Sequence, residues 1–162
     1  MSTKNETRII AEPGKQELFI IREFEAPREL VFKTFSDPAL IIKWLGPRDL
    51  EMKIEKFEAV PGGSYRYIHT DKLCNAYGFH GVIHDVEAPE RIIQTFEFEG
   101  LPERGHVSLE TATFEALNAS RTRVTIHSVF QSAADRDGMI QSGMERGVKE
   151  GHERLDELLA NM

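Results

Sequence analysis

One cysteine, Cys74, stands in the whole sequence, so no disulfide can form within the chain. It lies in a turn-like stretch with no base beside it and reads as an incidental free thiol, in keeping with a reducing compartment. Long apolar runs are also missing. No stretch approaches the roughly 20 residues that a transmembrane helix needs. Met1 to Lys15 is polar and lacks the apolar segment of a secretory signal. These absences lead to the expectation of a cytoplasmic protein with no membrane contact, and leave the sequons at Asn5 and Asn118 without meaning. Basic residues are in the minority, 20 Lys and Arg against 27 Asp and Glu, for a formal net charge of −7. No Lys/Arg cluster appears, which excludes the electrostatic footprint of a nucleic-acid binder.

Metal-ligating patterns are absent as well. There is no cysteine pair, no H-x-H and no HExxH. His80 and His84 are four apart on a predicted strand, which separates their Cα atoms by about 13 Å, too far for one ion. No Ser-His-acid set, Gly-rich phosphate loop or nucleotide fingerprint is present. The expectation is no metal and no cofactor. Asp and Glu are scattered, with no visible carboxylate pair.

What the sequence does contain is alternation. With 162 residues, 40% hydrophobic and 29% charged, the chain suits one domain with a real core. Residues 1–15 read as a flexible arm and 16–162 as the domain. The first strand is predicted over Gln16–Glu25. Ala26-Pro27 stops it and places Pro27 at the first position of a short helix. Asp37 and Pro38 start a second short helix, and Gly46-Pro47 ends it. Alternating segments follow over Met52–Ala59, Ser64–Asp71, Ala76–Val86, Arg91–Glu99, His106–Leu117 and Arg121–Phe130, each closed by turn residues. Such short connections mean antiparallel pairing. Along the fourth of these, Arg91–Glu99, Phe96 and Phe98 share a face. Tyr65, Tyr67 and His69 share another on Ser64–Asp71. The inward parity of Ala76–Val86 stays open, because both faces carry apolar residues.

Ser132 to Asp135 reads as a capping box, opening a helix of more than twenty residues within Gln131–Asn161. Its stripe is Ile140, Met144, Val148, His152, Leu155 and Leu159. Gly143, Gly147 and Gly151 lie within the helix, at about 1 kcal/mol each against alanine and about 3 kcal/mol together. Close approach of helix and sheet, or room for a ligand, would each account for them. The fold class is therefore α+β, a many-stranded antiparallel sheet with one long C-terminal helix to cover its large face.

Several pieces, in order, are similar to a known family. They are Glu25-Ala26-Pro27-Arg28-Glu29-Leu30-Val31-Phe32, Asp37-Pro38 with Trp44-Leu45-Gly46-Pro47-Arg48, Pro61-Gly62-Gly63, Pro89-Glu90-Arg91, and Asp137-Gly138-Met139 with Gly143-Met144-Glu145 and Gly147. Together they resemble the activator of Hsp90 ATPase homologue 1-like (AHSA1-like) family, within the START-like, Bet v 1-like (SRPBCC) helix-grip superfamily. The resemblance covers about Leu18 to Leu159. It implies the helix-grip fold, a curved antiparallel sheet gripping two short helices and a long C-terminal helix over a cavity, and no shared catalytic motif. The family name alone implies no chaperone partner. Members often carry a second tryptophan where Leu45 stands, tryptophan at Val148 and leucine at His152. The last two departures imply a roomier, more polar cavity.

The candidate ligand-binding residues are Trp44, Tyr65, Tyr67, Phe96, Phe98, Met144, Val148 and His152. His152 reads either as a core histidine with one hydrogen bond or as a polar group inside the cavity. Three functions stay open. The favoured one is binding of an apolar or aromatic small molecule, with the protein a monomer or homodimer. The others are a cyclase-like or other lyase- or hydrolase-type enzyme using the same cavity, and a chaperone-related or regulatory interaction module.

Overall fold

The structure, a computed structural model, describes residues 5–162. The chain runs β1 (Arg8–Ile10), β2 (Glu17–Phe24), α1 (Arg28–Ser36), α2 (Pro38–Ile41), β3 (Glu51–Phe57), β4 (Ser64–Thr70), β5 (Ala76–Glu87), β6 (Arg91–Phe98), β7 (Val107–Asn118), β8 (Arg121–Val129), α3 (Ala133–Gln141) and α4 (Met144–Ala160). The strands form one eight-stranded sheet in the order β1-β2-β8-β7-β6-β5-β4-β3, with each neighbouring pair antiparallel. From β3 to β8 every strand pairs with its successor, as short turns require. The one distant pairing sets β2 beside β8 and so brings the two helical segments to the same side. This is the helix-grip order expected from the alternation.

Local chemistry explains the element ends. Pro27 is the N-cap of α1, in extended conformation, one position earlier than expected. Asp37 caps α2, its Oδ1 accepting from the Ala39 N–H at 3.0 Å, and Pro38 occupies the first turn. Ser132 caps α3 by accepting from the Asp135 N–H at 3.0 Å. A bulge between Ile83 and Asp85 shifts the register of β5 against β6. Residues of both parities then point inward on one strand, Phe79 and Ile83 before the shift and Val86 after it. That resolves the parity left open by the sequence.

Burial is divided among three apolar clusters. Phe24, Val31, Phe32, Trp44, Phe114, Val124, Leu155 and Leu159 pack α1 and α4 onto one end of the sheet. Leu18, Ile20 and Phe130 form a second cluster against Met139, Met144 and Val148. Tyr65, Tyr67 and Ile83 anchor a third on β4 and β5. Such a split core leaves space where the three fail to meet.

Three expectations need correction. The stretch read as a flexible arm contains β1, which pairs with β2 in the register Arg8↔Ile21 to Ile10↔Phe19. Three residues are too short to show alternation, so nothing in the sequence marked them. Residues 1–4 of that arm lie outside the described residues. The long C-terminal helix is two helices, because Gly143 adopts φ +86°, a left-handed conformation that disfavours any residue with a Cβ. Gly143 therefore costs no interior helix stability. The third correction concerns what the glycines approach. A Cβ on Gly151 would lie 3.3 Å from Trp44 O and from Gly46 N, so α4 presses on the segment after α2 and not on the sheet.

A buried charge ties α4 to β2. Arg22 is on the inward parity and 4% exposed. Its Nη1 and Nη2 donate to Asp156 Oδ1 and Oδ2 at 3.0 and 2.6 Å, and Nη1 also donates to Glu23 O at 2.7 Å. Removing one partner of a buried pair leaves the other without compensation. Asp156 is itself half exposed, so water replaces part of what is lost. Asp156→Ala is expected to cost about 2 kcal/mol, read as a lower urea midpoint. An unchanged midpoint would mean that Arg22 is held by packing alone.

Candidate functional site

The space between the clusters is a cavity of about 890 Å³, bounded by the concave face of the sheet, α3, α4 and the segment after α2. That volume lies within the range of small-molecule sites. Alternation along β4 aims Tyr65, Tyr67 and His69 into it, and all three are buried. Phe79 lies opposite Tyr67 in register and joins the rows together. Its ring is 5.1 Å from Tyr67, 5.5 Å from Phe96 and 5.2 Å from Phe98. The result is a continuous aromatic wall across β4, β5 and β6.

All eight residues singled out from the sequence border this space. Trp44 closes one end; its indole Nε1 donates to Thr34 O at 2.8 Å, which fixes the ring between α1 and α4. Tyr65 donates its hydroxyl to Thr95 O at 2.6 Å. Burial pushes the Tyr65 and Tyr67 hydroxyls above the usual phenol range, so both stay protonated. Among the described residues the Tyr67 hydroxyl has no protein partner, unlike that of Tyr65. Met144, Val148 and His152 are four apart on α4 and share its inward face.

The two readings of His152 turn out to be compatible. Its ring is 5% exposed, edge-on to Phe24 with centroids 5.4 Å apart, and its Nδ1 lies 2.6 Å from Thr7 Oγ1. Burial, helped by the charge of Arg22, lowers its pKa to about 3, so it is a neutral imidazole on the cavity wall with one nitrogen satisfied.

Three residues in the wall escaped the sequence reading. Phe79 was passed over because the parity of its strand was open. His69 shares a face with the two tyrosines and borders the cavity, though its position on that face does not by itself mark a site residue. Burial lowers its pKa to about 4, and its Nε2 is buried with no hydrogen-bond partner among the described residues. The third is Glu110. On β7 the inward parity is Ser108, Glu110, Ala112 and Phe114, while Leu109 points outward and is 45% exposed. Apolar and polar residues are mixed on both faces of that strand, so the pattern did not tell which face turns inward. Glu110 pairs in register with Gln94 on β6 and with Ser128 on β8, forming a polar row across the cavity floor. Burial raises its pKa to about 7, and the amide of Gln94 and hydroxyl of Ser128 oppose that shift. Its charge is felt by both Tyr65 and Tyr67.

Among the described residues, no group of three His, Cys, Asp or Glu is arranged to hold a metal ion. His80 faces away from the cavity and bonds Glu99 Oε2 at 2.8 Å. Among the described residues, no helix is long and apolar enough to cross a membrane.

The model of one family, described as Activator of Hsp90 ATPase homolog 1-like protein, matches residues 25–160. The chain belongs to that family. Structures of AHSA1-like shape align over nearly its full length. A crystal structure of a Rhodobacter sphaeroides protein is 25% identical, with TM-score 0.86, covering 97% of this chain and 99% of that one. A solution structure of an Arthrobacter aurescens protein is 26% identical, with TM-score 0.85, covering 96% and 92%. A Mycobacterium smegmatis protein at 24% identity and TM-score 0.84, covering 94% and 96%, shares the fold. No curated protein matches the chain.

Proposed function

We propose that the protein binds an apolar or aromatic small molecule in the cavity between the concave sheet and α4. One observation carries this reading: a space of about 890 Å³ is walled by Tyr67, Phe79, Phe96 and Phe98 and has a short polar row on its floor. Sites of this kind take most of their affinity from apolar contact and their orientation from a few polar groups. Membership of the AHSA1-like family is consistent with a binding module and supplies no ligand.

An enzyme using the same cavity is favoured by one feature, the coexistence of an ionisable Glu110 with neutral His69 and His152 on the wall. Groups with displaced pKa values in a cavity suit proton transfer. They equally suit recognition, and binding precedes either. The test is titration with a neutral apolar dye, N-phenyl-1-naphthylamine, followed by its fluorescence. Saturable one-to-one enhancement with a dissociation constant in the micromolar range is expected. No enhancement, with the protein folded by circular dichroism, would refute the reading.

A further inference from the structure

The walls of the cavity are uneven in charge. Apart from histidines, the cationic side chain among its described lining residues is Arg146, which is paired outward with Asp49 at 2.8 Å and Glu150 at 2.9 Å. The interior arginines are also committed, Arg22 to Asp156 and Arg136 to Asp137 and the backbone oxygens of Glu12 and Glu17. His69 and His152 are neutral, and His106 is paired with Asp135 at 3.1 Å. Glu103 lies toward solvent on the loop after β6. Tyr65 and Tyr67 remain protonated. The carboxyl of Glu110 thus faces the cavity from the middle of the sheet with no counter-ion among the described residues around it.

From this placement we infer that the ligand is an apolar amine, bound as its ammonium ion to Glu110 with its hydrophobic body against the aromatic wall. The inference rests on the reading of the cavity as a binding site. An anion would meet an uncompensated carboxylate. A neutral ligand would leave that carboxylate as unfavourable as it is in the empty cavity. An ammonium group offsets the ionisation of Glu110 and gains a charge-assisted hydrogen bond in a low-dielectric site. Gln94 and Ser128 flank Glu110 in register, so an amide oxygen and a hydroxyl of the same polar row can accept the ammonium's further N–H donors. The overall charge of −7 favours the approach of a cation.

Binding then couples to a proton. Glu110 must release its proton to pair with the ammonium, so affinity is full above about pH 7 and falls as the pH drops below it. Between pH 8 and pH 6 the loss is about tenfold, from one proton with a pKa of about 7.

Isothermal titration with 1-naphthylmethylamine, 1-naphthylmethanol and 1-naphthoate tests the idea on one aromatic body with three head groups. The expected result is strongest binding of the amine, an affinity for it that falls about tenfold from pH 8 to pH 6, and a flat pH response for the alcohol. In Glu110→Gln the amine is expected to bind no better than the alcohol. Equal affinity of amine and alcohol in the unaltered protein, tighter binding of naphthoate, or an amine preference that survives Glu110→Gln would overturn the inference while leaving the cavity reading intact. Failure of all three probes, together with the neutral dye, would remove both.

Discussion

Val148→Trp is expected to abolish binding of the neutral dye while the melting temperature holds or rises. Val148 sits on the inward face of α4, packed beside Leu18, Ile20 and Phe130 at the rim of the cavity. An indole at this position points into space that a ligand would otherwise fill. Filling a real void commonly adds about 0.5–2 kcal/mol, whereas forcing extra atoms into a close-packed site costs about 1–3 kcal/mol. An indole in the space a ligand would fill should weaken binding at least about a hundredfold, roughly 3 kcal/mol, which takes a micromolar dye beyond the titrated range. Thermal melts and dye titrations on the same sample separate the outcomes. A sharp fall in melting temperature would mean that Val148 is already close-packed and that the cavity does not extend to it.

Glu110→Gln should stabilise the empty protein, and by an amount that depends on pH. In the folded chain burial holds the carboxyl at about 7, against an ordinary value of 4.5. Below pH 4.5 both folded and unfolded forms are protonated and the residue contributes no penalty. Between pH 4.5 and 7 the unfolded chain gives up its proton while the folded chain keeps it, so stability falls as pH rises through this window. Above about pH 7 the penalty levels off at about 2–3 kcal/mol, allowing for water in the cavity. Glutamine has no proton to lose. At pH 8.5 the variant should therefore melt about 5–10 °C higher than the parent, and at pH 4.5 within a degree or two of it. A gain of the same size at both pH values would show that shape, not charge, made the difference.

Much of the fold was legible because a sheet side chain has only two directions. Seven strands from β2 to β8 showed in the alternation and in turn residues such as Pro61-Gly62-Gly63, each end within about two residues of the observed one. What could not be read were departures from that regularity. The three residues of β1 are fewer than the about four or more over which alternation can be told from chance. The Ile83–Asp85 bulge lets both faces of β5 look inward in turn. The apolar stripe runs across Gly143 without a break, so the joint between α3 and α4 is carried by a backbone angle and not by a pattern. The site was legible to the extent that it is aromatic and lies on clearly alternating strands or on α4. Glu110 was not, because its inward orientation depends on β7 lying in register between Gln94 and Ser128. Long-range pairing of that kind leaves no mark in a single strand.

The free margins of the sheet bear on how copies of the protein behave when crowded. At one margin β1 offers three residues, too few to template another strand. At the other, β3 carries Glu51, Lys53, Glu55 and Lys56 and is kinked between Ile54 and Lys56. An incoming strand would have to lay its backbone along a bent row of fixed charges of both signs. Neither margin of the open sheet thus offers a template for a further strand, and concentrated solutions are guarded against edge-to-edge growth into fibres.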